Sequence, residues 1–117
     1  MSYQKANGQF ADTEDCNLHP SATRTATTTT SAIELGDKPV ARLVLDVTAA
    51  SGTTPTLDVT IQTSRDAVTW YTAGTFAQKT TTGTERKCFA VDRHVRALCT
   101  IGGTTPSFTF SVTGEGA

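Results

Sequence analysis

Alternation of apolar and polar residues is the feature that most constrains the fold of this chain. It runs through three stretches, 43–47, 57–61 and 108–112, with a period of two residues. This period turns one face of a β-strand toward a core and the other toward solvent, and it does not fit a helix. The sequence therefore predicts strands at all three places. The inward positions are Leu43, Leu45, Val47, Leu57, Val59, Ile61, Phe108, Phe110 and Val112.

Threonine dominates the composition, with 25 copies among 117 residues. Threonine is β-branched, and it favours half-buried pleated surfaces over helices. The chain length is that of one domain. The hydrophobic share of 37% lies below the usual value and favours a thin, two-layer core over a thick globule.

Turn residues divide the chain into seven to eight short strands. Segments rich in Gly, Pro, Asp and Ser at 36–39, 51–55, 64–67 and 102–106 predict turns. Evenly spaced short strands without a helix predict an all-β fold, specifically a two-sheet antiparallel β-sandwich that is jelly-roll-like. The predicted strands are 23–35, 40–49, 56–64, 68–76, 85–91, 95–101 and 107–113, with Trp70 as the largest expected core side chain.

The first 22 residues differ from the rest, because they are polar and show no hydrophobic period. We predict an irregular N-terminal arm over 1–22 and a β-sandwich domain over 23–117. The arm's large apolar side chains, Tyr3, Phe10 and Leu18, are the expected assembly contacts with a neighbouring subunit. Plain disorder of the arm is the alternative.

Charge and hydropathy argue against two classes of partner. Ten basic and eleven acidic residues leave a net charge of −1, and no segment concentrates positive charge. Nucleic-acid binding needs a clustered basic face. No apolar run is long enough to span a membrane, and residues 1–10 lack the basic start and apolar stretch of a signal peptide. We expect neither nucleic acid nor membrane as a partner.

Three cysteines, an odd and sparse set without a Cys-x-x-Cys pair, indicate neither a disulfide framework nor a zinc site. If 85–91 and 95–101 formed a hairpin, Cys88 and Cys99 would lie on opposite faces and could not be bridged. We therefore predict a free Cys88 and a buried Cys99 thiol. The argument does not apply if the two strands belong to different sheets.

No set of catalytic residues is recognisable. Acidic, thiol and imidazole groups at 12–19 could ligate a metal, although a solvated polar segment explains the same composition. The only histidines are His19 and His94, and without a Gly-x-Ser-x-Gly motif a serine triad lacks its parts. The Gly-Gly-Thr-Thr segment 102–105 lacks the lysine and helix of a phosphate loop. We predict a non-enzymatic protein with no catalytic residue, metal or cofactor.

A ligand patch is the remaining candidate site. Tyr71, Arg93 and His94 could join an aromatic surface to cationic groups, as carbohydrate-binding loops do. Trp70, Arg65 and Arg96 could extend this patch. The alternative is that Trp70 packs in the core and that the other residues are solvated strand ends.

The segment 57–101 resembles the discoidin or galactose-binding-like β-sandwich. In that pattern a strand ends in Ser-x-Asp, a Trp follows four residues later, and an Arg-Tyr-Val-Arg strand comes next. The resemblance implies a fold and carries over no binding residue, because the ligand loops of that family are not recognisable here. The matching positions are Ser64, Asp66, Trp70, Arg93, His94, Val95 and Arg96, with His94 in place of the usual Tyr.

The segment 54–114 is also similar to small bacteriophage virion proteins. It shares with them a TWYTAGTF-like strand, a DRHVRA strand and a closing GTTPSFTFSVTG. The resemblance implies a capsid decoration or minor capsid protein in the virion, assembled in the host cytoplasm. Its expected partners are the major capsid protein and copies of itself, with a trimer as the first oligomer to test. A carbohydrate-binding module on a phage tail or fibre is the alternative.

Overall fold

A computed structural model describes residues 13–117. Within that range every regular element is a β-strand, all neighbouring strands are antiparallel, and no helix occurs. The predicted all-β class is therefore confirmed. The strands are β1 (Glu14–Asp15), β2 (His19–Arg24), β3 (Thr28–Thr29), β4 (Ile33–Glu34), β5 (Val40–Ser64), β6 (Tyr71–Thr75), β7 (Gly83–Ala90) and β8 (His94–Gly116).

Two long central strands, β5 and β8, organise the sheet. They pair along their whole length, from Ala41 opposite Gly116 to Ser64 opposite His94. The short strands β1 to β4 follow one another along the free side of β8. Strands β7 and β6 line the free side of β5. The result is one curled antiparallel sheet of eight strands.

The turns predicted at 51–55 and 102–106 are wrong. The two segments lie inside β5 and β8 and face each other across the ladder, where the pairing register shifts. Such shifts are β-bulges, which bend a strand and let it pass from one layer to another. Proline is tolerated there because a bulge does not need its missing N–H. We call this crossing of 51–56 and 102–107 the waist.

Glycine is required at one position of each waist segment. Gly52 has a φ of 115° and Gly103 a φ of 110°. A Cβ on Gly52 would lie 2.7 Å from the carbonyl oxygen of Thr105, and a Cβ on Gly103 would lie 2.7 Å from that of Thr54. The absence of a Cβ at these two glycines therefore lets the backbones of 51–56 and 102–107 come close to each other.

The waist divides the sheet into two halves that share β5 and β8. The His19 half contains β1, β2 and β7 with 40–50 and 107–116, and the Tyr71 half contains β3, β4 and β6 with 56–64 and 94–101. Phe89 of β7 and Phe76, just after β6, meet edge to face with ring centroids 5.3 Å apart. The predicted inward positions are confirmed, since all nine are at most 2% exposed.

The N-terminal segment is more regular than the sequence suggests. Residues 14–22 lie in or between β1 and β2, so the expected irregular arm over 1–22 is wrong for its second part, and the boundary at 22 falls within β2. Leu18 is 5% exposed and belongs to the core, so it is not offered to a neighbouring subunit. Tyr3 and Phe10 lie outside the described residues.

His19 fixes the edge strand β2 to β8. Its buried ring stacks on Phe110 with centroids 4.2 Å apart. Its Nε2 accepts a hydrogen bond from Arg24 Nε at 3.0 Å, so Nδ1 carries the proton that is donated to the Phe110 carbonyl at 3.1 Å. The hydrogen bond from Arg24 needs the neutral ring, because a protonated Nε2 could not accept it, whereas Nδ1–H can donate in either state. Burial, and secondly the charge of Arg24, lower the pKa of His19.

The predictions for two cysteines are confirmed, although their premise was wrong. Cys99 is buried and Cys88 is exposed, and both are free. Strands β7 and β8, however, do not pair with each other, because each pairs with β5. The predicted hairpin between 85–91 and 95–101 therefore does not exist, and the burial follows from alternation along each strand separately.

Candidate functional site

The segment 64–71, which we call the tip loop, joins β5 to β6 and is built around a buried hydroxyl group. Ser64 is fully buried. Its Oγ accepts hydrogen bonds from the backbone N–H groups of Asp66 at 3.2 Å and Ala67 at 2.9 Å, and it donates to Asp66 Oδ1 at 3.0 Å. A serine that ends a strand can cap the following turn in this way.

Asp66 completes the tip loop from the solvent side. Its Oδ1 accepts hydrogen bonds from the backbone N–H groups of Val68 at 2.9 Å and Thr69 at 3.0 Å. These bonds, with that from Ser64, lower the pKa of Asp66 because they stabilise the carboxylate. Ala67 adopts a left-handed φ of 63°. The loop is therefore held by five hydrogen bonds from within the loop itself.

The tip loop presents apolar side chains to solvent. Val68 is 79% exposed and Tyr71 is 60% exposed, and they are the two large hydrophobic residues that stand exposed within 13–117. Single exposed apolar residues are common on protein surfaces, but two on one rigid loop form a candidate contact surface.

A cleft of about 450 Å³ opens beside the tip loop. The Arg65 guanidinium lies 3.9 Å from the Asp92 carboxylate across it. The Thr63 hydroxyl positions the backbone around Asp92. It accepts a hydrogen bond from the Asp92 N–H at 2.6 Å and donates one to the His94 carbonyl at 2.9 Å. The lining residues are Arg65, Asp66, Thr69, Tyr71 and Asp92.

Of the predicted ligand patch Tyr71, Arg93 and His94, only Tyr71 lines this cleft, and Arg65 of its proposed extension joins it there. Arg93 instead pairs with Glu34 at 3.2 Å, and neither Arg93 nor His94 lines the cleft. The predicted patch of Tyr71, Arg93 and His94 is therefore not assembled as one surface, because β5 separates Tyr71 of β6 from His94 of β8, and the Arg93 side chain turns to Glu34 of β4.

Trp70 is not the core residue that the sequence predicts. It is only partly buried, and the guanidinium of Arg96 lies 4.0 Å from its ring centroid, while Arg96 Nε donates to Gln62 at 2.8 Å. Arg96 belongs to the outward positions of β8, which alternate with buried Val95 and Ala97. This cation–π pair covers the outer face and leaves the core to smaller side chains.

The acidic groups of the cleft, Asp66 and Asp92, were not predicted as site residues. Asp66 is part of the Ser-x-Asp pattern, which marked only a fold, and Asp92 lies between the predicted strands 85–91 and 95–101 and was given no role. The signal that could have found Asp66 is the Ser64-x-Asp66 spacing itself, because such a pair caps a turn and leaves one carboxylate oxygen free.

A second concave surface, the outer groove, lies on the His19 half with a volume of about 330 Å³. Val44 and Cys88 form part of its floor, and no carboxylate is among its lining residues. Glu115 stands at its rim and pairs with Arg42 at 2.6 Å. The lining residues are Arg42, Leu43, Val44, Arg86, Lys87 and Cys88.

Several reactive groups are engaged in packing. Burial raises the pKa of Cys16 to about 11 and that of Cys99 to about 12, so neither thiol ionises readily. Cys16 and His19, part of the possible metal cluster at 12–19, are buried in the core. Within the part of the chain that the structure describes, no three His, Cys, Asp or Glu residues are grouped to hold a metal ion.

Comparison with known proteins adds no relative. No family model, no curated protein and no solved structure matches the chain. Over residues 13–117, no helix is long and apolar enough to cross a membrane.

Proposed function

We propose that this chain is a non-enzymatic bacteriophage virion protein that decorates and stabilises the capsid. The observation that carries the proposal is the outer surface of β5 and β8 on both halves of the sheet, which is lined by hydroxyl and carboxylate groups. Such a face suits a broad, hydrogen-bonded contact with a protein shell better than the enclosure of a small substrate. Its outward residues include Asp46, Thr48, Asp58, Thr60, Thr100, Thr109, Ser111 and Thr113.

We also propose that the curled sheet works as a jelly-roll-like sandwich of two layers. The contact between Phe76 and Phe89 supports this arrangement, because it joins the inner faces of the two halves. The inward positions of both halves are buried as well. A two-layer core would keep both outer faces free for neighbouring subunits.

Residues 1–12 supply the proposed assembly arm, with Tyr3 and Phe10 as its contacts. The segment that follows is fixed to the sheet, since β1 pairs with residues 115–116 and Cys16 N–H donates to the Gly114 carbonyl at 2.9 Å. A tether anchored in this way adds contact area without enlarging the core. The proposed partners in the virion are the major capsid protein and copies of this chain, with a trimer as the first oligomer to test.

Removal of residues 1–12 tests the proposal. The deletion must stop before β1, because removing 1–22 would take buried Cys16, Leu18 and His19 from the sheet. We expect the shortened protein to keep its fold by circular dichroism and to lose most of its cosedimentation with shells of the major capsid protein encoded nearest to it. The pair Tyr3→Ala and Phe10→Ala should reproduce the loss. A full-length protein that never cosediments with these shells would contradict the proposed function.

The exposed Tyr71 ring favours the second candidate, a carbohydrate-binding module on a tail or fibre. Aromatic faces flanked by carboxylates bind sugars, and Tyr71 lies beside Asp66 and Asp92 in the cleft. A glycan array with the intact protein tests this candidate. It predicts binding that Tyr71→Ala abolishes, with Tyr3→Ala as the control variant; an array without binding removes it.

A further inference from the structure

The tip loop and the outer groove carry complementary features on one chain. The tip loop exposes Val68 and Tyr71 beside a cleft with two carboxylates and one guanidinium, whereas the outer groove has an apolar floor and basic sides. Glu115 neutralises Arg42, and the Lys87 ammonium turns to the inner face, where it donates to the Thr75 carbonyl at 2.6 Å, so Arg86 gives the groove its positive charge. We infer that the tip loop of one copy binds in the outer groove of the next, an inference that rests on the proposed assembly function.

Charge supports a second copy as the occupant. The cleft beside the tip loop bears a net negative charge, since Asp66 and Asp92 outnumber Arg65, and the groove that would receive it contains no carboxylate. Complementary charges set partner choice and association rate. The Val68 side chain would pack in the groove against the apolar surface of Val44 and Cys88.

Rigidity of the tip loop favours binding. Its backbone is held by the bonds to Ser64 and Asp66, so little conformational entropy is lost when it docks. The two surfaces lie on different parts of the chain, and the contact is therefore heterologous. A heterologous contact generates a closed ring if its rotation closes, and an open filament otherwise. This differs from a two-fold dimer, in which each surface would meet itself.

Cys88 makes the contact testable by cross-linking. It is the exposed thiol of the outer groove, whereas Cys16 and Cys99 are buried. In the variant Val68→Cys, treated with the mild oxidant diamide, we expect disulfides between residue 68 of one copy and Cys88 of the next. Because each copy then contributes two different thiols, covalent trimers or longer species should form on non-reducing gels.

Two control variants separate this result from random collision. Val68→Cys combined with Cys88→Ser leaves one exposed thiol per copy, so it can form dimers at most. Ser51→Cys keeps Cys88 and places a second exposed thiol at the waist, outside the tip loop. We expect higher oligomers only in the single variant Val68→Cys. Higher oligomers in equal yield with Ser51→Cys, or none with Val68→Cys, would overturn the inference.

Charge reversal gives an independent measurement on the uncross-linked protein. In sedimentation equilibrium we expect Arg86→Glu to weaken self-association by about tenfold or more and the added Asp92→Arg to restore part of it. No effect of Arg86→Glu, or a wild-type protein that remains monomeric throughout, would contradict the inference. Capsid binding by a strictly monomeric protein would leave the proposed function intact while removing this contact.

Discussion

The two halves of the sheet begin from the same bend but are closed in different ways. At the waist, Gly52 and Gly103 have φ values of 115° and 110°, and Thr54 and Thr105 have φ values of 47° and 46°. Beyond the waist, the His19 half is closed by buried ring and backbone contacts, whereas the Tyr71 half is closed by a hydrogen-bonded loop. The pairing of two distant segments therefore sets the bend, whereas tertiary contacts close the His19 half and local hydrogen bonds close the Tyr71 half.

The largest expected effect comes from the His19 half, in the variant Gly114→Ala. A Cβ there would collide with the Arg42 carbonyl oxygen on the neighbouring strand. Backbone cannot yield as a flexible side chain does, so β5 and β8 must separate, and we expect a loss of about 3 kcal/mol or more in the free energy of unfolding. Urea denaturation measures this. Gly83→Ala is the control, because nothing lies within 4 Å of its Cβ position; an equal loss there would contradict the explanation.

Gly52→Ala and Gly103→Ala test whether the two waist segments are equivalent. Each variant forces a Cβ into an unfavourable φ and against a carbonyl oxygen at the same distance. We expect each to cost about 2–3 kcal/mol in the free energy of unfolding. A difference of more than about 1 kcal/mol between the two, by urea denaturation, would show that the waist is not symmetric in energy.

The sequence predicted the inward positions of the strands and the turns near 36–39 and 64–67, but neither the place of Trp70 nor the waist. Alternation identifies the inward face of each strand because it depends only on neighbours two residues apart. The two segments of the waist were assigned to turns because Gly-Thr-Thr-Pro has turn chemistry. Their place inside β5 and β8 follows only when the two Gly-Thr-Thr-Pro segments pair with each other across the sheet. The cleft depends likewise on Asp92, 26 positions after Asp66 in the sequence. Such distant juxtapositions leave no periodic signal.

Ser64→Ala tests the closure of the Tyr71 half. Ser64 is fully buried, and the variant removes the hydroxyl that accepts hydrogen bonds from the N–H groups of Asp66 and Ala67. We expect a loss of about 1–3 kcal/mol in the free energy of unfolding, together with faster amide hydrogen exchange in the tip loop. Exchange in β2, which belongs to the other half, should stay unchanged. Equal acceleration in both would mean that the halves are not closed independently.

The pH dependence of stability should differ between the two halves. The pKa of His19 is lowered in the folded state, so the unfolded chain binds more protons and stability falls as the pH drops below about 6.5. The pKa of Asp66 is also lowered, and its contribution is lost only below its ordinary value of 3.8. Urea denaturation between pH 8 and pH 5 should show the first loss, and His19→Gln should remove it. A wild-type slope retained in His19→Gln would contradict this assignment.

The smallest expected effect, a gain, tests the left-handed residues of the waist. Threonine is β-branched and poorly suited to the φ values near 46° of Thr54 and Thr105, whereas asparagine adopts this region readily. Each hydroxyl donates a hydrogen bond only to the carbonyl oxygen of the preceding residue, at 2.8 Å in both segments, and each side chain is exposed. We expect Thr54→Asn and Thr105→Asn each to raise the free energy of unfolding by about 0.5–1 kcal/mol. Because the two sites are equivalent in geometry, a gain at one and a loss at the other would show that the halves beyond the waist impose different strain on it.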